Sequence, residues 1–354
     1  MDALDELRAY TANHFHPEAL PRPLVLPLAP EPHVDVWREY AASLNASGSF
    51  DALREAFVQL RFPIRDGIST DETYRAATRQ GLSTDIAPDA VTNQRPIEIV
   101  IHDHPAGAVP AIVTHHRDDF VALVRAFTGR NEPIPVPDSQ GAAVVAGYNN
   151  WDRIRRAGGS WEWLEKSQYQ DRFLLISDGP YSGVPAAAVG LTDDEWRAAS
   201  ITIRLGHEAA HYFTRRVFHS MKNLLHDELI ADWAGIRGVA GRFRADWFLR
   251  FLGLEDFPRY REGGRLQNYR GSPAPLSDEA FRELQAVASR AAAAVEQFER
   301  ANGPDDGSPR ALAVGLIALS SVRLDDLASD RGLAVLEEAR RDAESCVLSD
   351  WAGI

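Results

Sequence analysis

The chain of 354 residues carries 51 acidic and 38 basic residues, which gives a formal net charge of −13 at pH 7. This balance argues against nucleic acid as a partner, because surfaces that bind phosphate backbones are basic. The single cysteine, Cys346, excludes an intrachain disulfide and a thiolate cluster, so any metal site must use histidine and carboxylate side chains.

The start of the chain and its apolar runs bear on localisation. The segment MDALDELRAY is acidic and lacks the basic stretch and apolar core of a secretory signal. No apolar run approaches the roughly 20 residues that span a bilayer. We therefore expect a cytoplasmic protein that does not bind a membrane.

Residues 1–90 are expected to form an N-terminal helical region with proline-rich breaks. VDVWREYAASLN and SFDALREAFVQL are amphipathic, and Ser49 is positioned to cap the second of these helices. In STDETYRAATRQG, Ser69 and Glu72 have capping-box spacing and Gly81 is a stop signal.

The region 91–260 mixes strand and helix patterns. Four short runs rich in branched or apolar residues are bounded by turn residues and predict a small mixed sheet: Ile97–Ile101, Ala111–Thr114, Ala142–Gly147 and Arg172–Ser177. A long helix follows in LTDDEWRAASITIRLGHEAAHYFTRRVF, where Thr192 and Glu195 fit a capping box. A second helix is expected from Asn223 to about Gly241.

Residues 261–354 are expected to form a C-terminal helical region. PRYREGGRLQNYRGSPAP, which leads into it, is rich in glycine and proline and is typical of a loop. Ser277 then begins a long alanine-rich helix. The predicted fold class is therefore α+β and mostly helical.

The motif HEAAH places His207 and His211 four residues apart. On a helix this spacing puts both imidazoles on one face, one turn apart, so that they can reach one cation. Glu208 lies beside them and can reach a water bound to the same ion. A metal-bound water has a lowered pKa, and a nearby carboxylate can accept its proton.

The third ligand decides the subclass of metal site. The metzincin extension needs a glycine at position 214 and a histidine at position 217, where this chain has Thr214 and Val217. HDELIADWAG instead offers Glu228, with Asp232 one turn later on the same face. A helix–turn–helix hairpin would bring Glu228 to the histidines, and Asp232 could accept the outer N–H of one of them.

These residues resemble the gluzincin zinc peptidases, which pair an HExxH helix with a glutamate on the following helix. HEAAH and ELIAD match that arrangement over Thr192–Gly241, about a seventh of the chain. The resemblance implies a zincin-like core with the small sheet packed against the motif helix. It also implies that His207, His211 and Glu228 bind Zn2+ and that Glu208 is the general base.

Three further residues are candidates for the site. Tyr148 follows a predicted strand and could supply the phenol that stabilises an oxyanion. His102 and His104 alternate on an extended segment and so share a face. They could bind metal or substrate, or they could simply be polar residues where a strand ends; no other substrate-binding residue is indicated.

The sequence thus predicts a zinc metallopeptidase acting on a peptide or protein substrate. Two histidines and one carboxylate also form the Fe2+ site of non-haem oxygenases, so an iron-dependent peptide-hydroxylating enzyme is an alternative. A non-catalytic, metal-stabilised peptide-binding protein is another. Neither the oligomeric state nor the choice between endo- and exopeptidase action follows from the sequence.

Overall fold

The computed structural model describes residues 2–47, 49–158, 165–272, 274–303 and 307–349. Over this part of the chain the fold is α+β and mostly helical, as the sequence predicts. The helices are α1 (Ala3–Tyr10), α2 (Val34–Ser47), α3 (Asp51–Ala56), α4 (Glu72–Gln80), α5 (Arg117–Phe127), α6 (Trp151–Arg156), α7 (Lys166–Tyr169), α8 (Asp193–Val217), α9 (Leu225–Ala240), α10 (Ala245–Leu252), α11 (Asp278–Asn302), α12 (Pro309–Ser321), α13 (Leu324–Leu327) and α14 (Gly332–Cys346). The strands are β1 (Leu24–Leu26), β2 (Ile97–His102), β3 (Val109–Thr114), β4 (Ala142–Asn149), β5 (Gln170–Ser177) and β6 (Val347–Ser349).

The chain divides into two compact units, and each is assembled from separated segments. The first unit contains Met1–Ala29, His104–Gly107 and Pro180–Ile354, and the second contains Pro30–Asp103 and Ala108–Gly179. The three contiguous regions expected from the sequence, 1–90, 91–260 and 261–354, are a different division and stay a prediction.

The second unit contains the small mixed sheet, in the strand order β2-β3-β5-β4. β3 is parallel to β5, and the two outer strands are antiparallel to their neighbours. All four strands fall where the apolar runs predict them. A bulge between Ala146 and Tyr148 interrupts the β4–β5 register, and Gly147 there has a φ of 80°, which glycine adopts without strain.

An aromatic core fills the second unit. Trp37 from α2 contacts Phe57 and Phe173 at ring-centroid distances of 5.0 and 4.6 Å. Phe120 on α5 and Ile112 on β3 are both fully buried in the same core. The alternation of apolar residues along the strands and the apolar stripe of α5 thus form one hydrophobic interior.

The first unit is built around the helical pair α8 and α9. The capping box of α8 forms as predicted, because Thr192 accepts from the backbone N–H of Glu195 and the Glu195 carboxylate accepts from Thr192. α9 begins at Leu225, two residues later than expected, and ends at Ala240, where the following Gly241 has the left-handed conformation. The pair therefore forms the predicted helix–turn–helix hairpin.

A glycine contact brings the two helices of this pair close together. A Cβ atom on Gly206 would lie 3.0 Å from the Cα of Gly235. One on Gly235 would lie 2.5 Å from the carbonyl oxygen of Ile203, closer than such atoms can pack. The backbones of α8 and α9 can approach this closely only because neither position carries a side chain.

The remaining helices complete the first unit. α11 packs against α10, α13 and α14, and its N-cap is Ser277, as predicted. β1 and β6 form a two-stranded parallel sheet. Among the described residues no helix combines the length and the apolar character that crossing a bilayer requires.

Two local predictions are wrong. α4 is capped by Asp71, whose carboxylate accepts from the N–H of Tyr74, instead of by Ser69. Part of the expected loop 258–275 is the 3₁₀ helix Arg265–Tyr269. In each case a local hydrogen-bonded turn replaces a structure inferred from composition.

Candidate metal centre

Two imidazoles meet on the buried face of α8. His207 and His211 are 7% and 5% exposed, and their Nε2 atoms are 3.1 Å apart. The spacing of four residues within one helix produces this approach, because such residues lie one above the other. The predicted convergence of the two histidines is thus observed.

The third member of the group comes from α9. Glu228 is 2% exposed, and its carboxylate oxygens lie 3.6 Å from Nε2 of His207 and 3.5 Å from Nε2 of His211. His207, His211 and Glu228, here called the metal-binding cluster, form a group that could hold a metal ion. No other group of three or more such side chains is found among the described residues.

The spacing within the metal-binding cluster suits a small cation. Two ligand atoms, each about 2.0–2.1 Å from a tetrahedral ion, are about 3.3 Å apart. The two Nε2 atoms are 3.1 Å apart, and Oε2 and Oε1 of Glu228 lie 3.6 Å from that of His207 and 3.5 Å from that of His211. The donors therefore already stand close to the positions that one bound ion requires, and the residues present fit such an ion.

The electrostatics of the cluster keep its carboxylate ionised. Burial raises the pKa of Glu228, but the long contact with His211 and the charges of both imidazoles outweigh it and lower that pKa to about 2. Burial lowers the pKa of His211, and Glu228 more than offsets this, so that the pKa is raised. Glu228 is thus in the charged form that binds a cation.

Asp232 stands one turn beyond Glu228 and contacts the far side of His207. Its Oδ1 is 2.8 Å from Nδ1 of His207. A carboxylate oxygen only accepts, so this contact assigns the imidazole proton to Nδ1 and leaves Nε2 free to bind a cation. Burial opposes ionisation of Asp232, but the Arg265 guanidinium and His207 hold its pKa below the usual value.

Tyr181 and Arg265 complete the surroundings of His207. The Tyr181 hydroxyl donates to Oδ1 of Asp232 at 2.6 Å and lies 2.9 Å from Nδ1 of His207. Arg265 donates to the Tyr181 hydroxyl at 2.8 Å and to Oδ2 of Asp232. Asp232 and Tyr181 therefore contact the ring of His207, and Arg265 contacts both of them.

Glu228 is fixed from the start of α9. The neighbouring Asp227 accepts from the backbone N–H groups of Lys222 and Leu224, as a capping residue does. His14, from the segment after α1, has its Nε2 3.1 Å from Oδ2 of Asp227 and its Nδ1 2.8 Å from the Ser220 hydroxyl. These contacts anchor the first turn of α9 and with it the position of Glu228.

Glu208 lies next to the ligands on α8 and is half-buried. Its negative charge contributes to the raised pKa of His211, which indicates that the carboxylate lies near the metal-binding cluster. A half-exposed carboxylate beside the ligands can exchange protons with water in a way that a fully buried one cannot. The placement agrees with the general-base role that the sequence predicts, and that role stays a prediction.

Tyr148 is a core residue of its own unit. It belongs to the second unit, where it is 4% exposed and its ring packs against Phe57, Phe127 and Phe173. The oxyanion role expected from the sequence has no support from this packing. A phenol after a strand can face the core or the solvent, and the bulge at Gly147 makes its direction unreadable from the sequence.

His102 and His104 belong to different units. His102 ends β2, and burial lowers the pKa of its imidazole. His104 is buried in the first unit, with its ring edge against Phe213 at a centroid distance of 5.9 Å. β2 ends at His102, so the two histidines do not belong to one strand.

Sequence reasoning missed Tyr181, Arg265 and Tyr269. Tyr269 is 7% exposed, and both burial and a hydrogen bond with Glu228 raise the pKa of its phenol. All three residues come from segments without helical or strand periodicity, so no spacing linked them to the histidines. The one available signal was the aromatic and arginine content of the glycine-rich segment 258–275, which contains Arg265 and Tyr269.

The chain belongs to a family of unknown function, DUF7005, which it matches over residues 1–331. No curated protein and no solved structure matches it. The matched range includes the whole metal-binding cluster with Tyr181, Asp232 and Arg265. Function must therefore be argued from the chemistry of the site itself.

Proposed function

We propose that this protein is a zinc-dependent hydrolase that cleaves peptide bonds. The observation that carries the proposal is the buried triangle of two imidazole nitrogens and a carboxylate, with Glu208 beside it on the same helix. Two histidines and one carboxylate leave a fourth tetrahedral position open, which is the ligand set of many catalytic zinc sites. Structural zinc sites instead use four protein ligands.

His207, His211 and Glu228 would hold the ion. A zinc ion bound there lowers the pKa of its water to about 7 and polarises a carbonyl group. Asp232 keeps the proton of His207 on Nδ1 and so keeps Nε2 available as a ligand. The ionised Glu228 supplies the negative charge that offsets part of the charge of the cation.

Glu208 would take up the proton of the attacking water and deliver it to the leaving amine. Its carboxylate is half-buried, next to a ligand, and within reach of the charge on His211. General acid–base catalysis of this kind contributes about 100- to 10,000-fold to a rate. Glu208 is the one residue of the site whose removal should leave the ion in place and stop the reaction.

The test compares Glu208→Gln with the native chain. The metal content of both is measured by elemental analysis after purification without added metal, and turnover is followed on a mixture of internally quenched peptides. We expect one zinc per chain in both and a rate at least about 100-fold lower in the variant. Asp194→Asn, an exposed acid on the same helix, is the matched control and should change neither quantity.

Two results would contradict this proposal. Peptide hydrolysis at the native rate by Glu208→Gln would exclude the assigned general base. A chelator that lowers the melting temperature of a native chain inactive on every peptide would favour a metal-stabilised binding protein.

An iron-dependent oxygenase is a second candidate, because its site also uses two histidines and one carboxylate. The donor set of the metal-binding cluster meets this requirement as well as the requirement of zinc. The same elemental analysis separates the two candidates. Iron in the purified chain, together with oxygen consumption on addition of peptide, would favour side-chain hydroxylation over peptide hydrolysis as the function.

A further inference from the structure

Arg265 contacts an acid and a phenol that lie behind the metal-binding cluster. Its side chain is 16% exposed. It donates to Oδ2 of Asp232, to the Tyr181 hydroxyl at 2.8 Å and to the Ser182 hydroxyl at 3.1 Å. One guanidinium therefore joins three groups, and two of these, Asp232 and Tyr181, contact Nδ1 of His207.

We propose that Arg265 is a positioning residue that fixes the ring of His207, through Asp232 and Tyr181, in the orientation that binds the metal ion. The inference rests on the proposed metal site and deepens it. Arg265 touches neither the ligand atoms nor the position of the ion. It acts by holding the two groups that set the tautomer and the tilt of one ligand.

The geometry of the guanidinium suits this task. Oδ1 of Asp232 accepts from Tyr181 and from His207, while Oδ2 accepts from Arg265. Without the guanidinium, the carboxylate could rotate about its Cβ–Cγ bond and lose the contact with the imidazole. A planar, multiply donating side chain restrains both the carboxylate and the phenol, which a lysine ammonium does with less directional control.

Arg265 is itself held by a short helix that faces α9. Arg265 and Tyr269 are the two ends of the 3₁₀ helix 265–269, and they contact Asp232 and Glu228, which are also four residues apart. The carbonyl of Tyr269 accepts from the Tyr10 hydroxyl at 2.6 Å, and this hydroxyl in turn accepts from the N–H of Leu225. The segment is thus tied to the start of α9 at one end and to Asp232 at the other.

The left-handed backbone at Ser182 supports a role in the site. Ser182 has a φ of 53°, an unfavourable conformation for a residue with a side chain. In this conformation its hydroxyl meets Arg265 while the preceding Tyr181 meets His207 and Asp232. Backbone strain of this kind is retained where the surrounding contacts fix it, which is the case here.

The test measures the zinc dissociation constant of the full chain by competition with a chelator of known affinity. Loss of a residue that orients a metal ligand typically weakens metal affinity about 10- to 100-fold. We expect this loss for Arg265→Met, a smaller loss for Arg265→Lys, and a loss of several-fold for Tyr181→Phe. Arg261→Met is the matched control, because Arg261 lies in the same segment and pairs with Glu255 instead.

A second readout separates positioning from general stability. The visible spectrum of the Co2+-substituted chain reports the geometry of the ligands, and it should change in Arg265→Lys and Tyr181→Phe even when both variants fold normally. Arg261→Met should keep the native spectrum and bind zinc within about twofold of the native chain. If Arg265→Met does not fold, Arg265→Lys and Tyr181→Phe decide the question.

The outcomes distinguish this inference from the proposed function. Native affinity and a native Co2+ spectrum in Arg265→Lys and Tyr181→Phe would overturn the positioning role while leaving the metal site intact. A native chain that binds no metal would overturn both. Metal binding that depends on Arg265, in a chain that hydrolyses no peptide, would support the positioning role and remove the peptidase proposal.

Discussion

Two buried carboxylates, Asp171 of the second unit and Glu228 of the first, have different surroundings. In the second unit, Asp171 accepts from Trp37 at 2.9 Å, from Asn150 at 2.6 Å and from Arg153 through two hydrogen bonds of 3.1 and 2.8 Å. The three donor residues satisfy both carboxylate oxygens, and together with Asp171 they are here called the Asp171 cluster. In the first unit, Glu228 faces two imidazole nitrogens at 3.5 and 3.6 Å.

The lengths of these contacts distinguish a carboxylate that stabilises the fold from one that is suited to bind a cation. Charge-assisted hydrogen bonds to a carboxylate are about 2.7–2.9 Å long, and the Asp171 cluster approaches this range. The Glu228 contacts are longer, and they converge on one point between three donors. A buried charge with close hydrogen-bond partners on both oxygens stabilises the fold, whereas a buried charge that faces two imidazole nitrogens at longer distances is suited to hold an ion with them.

The largest expected effect comes from breaking the Asp171 cluster. Asp171→Ala leaves the Arg153 guanidinium and two buried N–H groups without their acceptor, and we expect a loss of about 3–5 kcal/mol in the free energy of unfolding. Glu228→Ala should cost less in the metal-free chain and should abolish zinc binding. Urea unfolding with and without zinc measures both effects. Equal losses of stability in the two variants would contradict the comparison.

The next effect is the stabilisation of the native chain by zinc. Free zinc at about a thousand times its dissociation constant should add about 4 kcal/mol to the free energy of unfolding. His211→Ala should lose this gain. His33→Gln is the control, because His33 is a buried histidine of the second unit that contacts the Arg172 carbonyl. Retained zinc stabilisation in His211→Ala would remove that residue from the ligand set.

His226 is a third kind of buried polar group. It differs from Asp171, which has several hydrogen-bond partners, and from Glu228, which faces other possible metal ligands. Its Nε2 donates to the Leu319 carbonyl at 2.9 Å, and burial lowers its pKa to about 4. Because the unfolded chain takes up this proton near pH 6.5 and the folded chain does not, the stability that His226 contributes is complete above pH 6.5. It is lost as the pH falls to about 4, a change of about 3 kcal/mol.

The variant His226→Leu should flatten this part of the stability–pH curve. The measurement is the urea unfolding of the metal-free native chain and variant at several values between pH 4 and 6.5. An unchanged slope in the variant would show that another group takes up the proton.

The smallest expected effect comes from the glycine contact of α8 and α9. Gly235→Ala gains about 1 kcal/mol of helix propensity, but its Cβ would lie 2.5 Å from a backbone oxygen. We expect the clash to prevail and the free energy of unfolding to fall by about 1–2 kcal/mol. Gly238→Ala is the control on the same helix, since its Cβ would have ordinary contacts. Zinc affinity should fall in Gly235→Ala and not in Gly238→Ala. Unchanged affinity in Gly235→Ala would show that the spacing of α8 and α9 does not affect metal binding.

The part of the site that follows local periodicity could be predicted from the sequence. A spacing of four residues determines that His207 and His211 share a helix face, and the same spacing links Glu228 to Asp232. The caps at Thr192 and Ser277 are equally local. These contacts depend on residues a few positions apart.

The rest depends on distant residues that no repeat connects. Tyr181 lies 26 residues from His207, and Arg265 lies 33 residues from Asp232. The direction of the Tyr148 side chain could not be predicted for a related reason, because a bulge in β4 breaks the alternation by which a strand residue is assigned to a face. Loop composition shows neither the 3₁₀ turns nor the partners that they bring together.

The glycine contact between α8 and α9 has a consequence for which ions the protein can accept. Backbones that touch cannot move closer, and the packed pair resists moving apart, so we expect the imidazole nitrogens and the Glu228 oxygens to keep separations of about 3.1–3.6 Å. Calcium takes six to eight oxygen ligands at about 2.3–2.6 Å and would need a wider opening. Through the helix spacing that they allow, Gly206 and Gly235 should therefore favour a small cation over a large one.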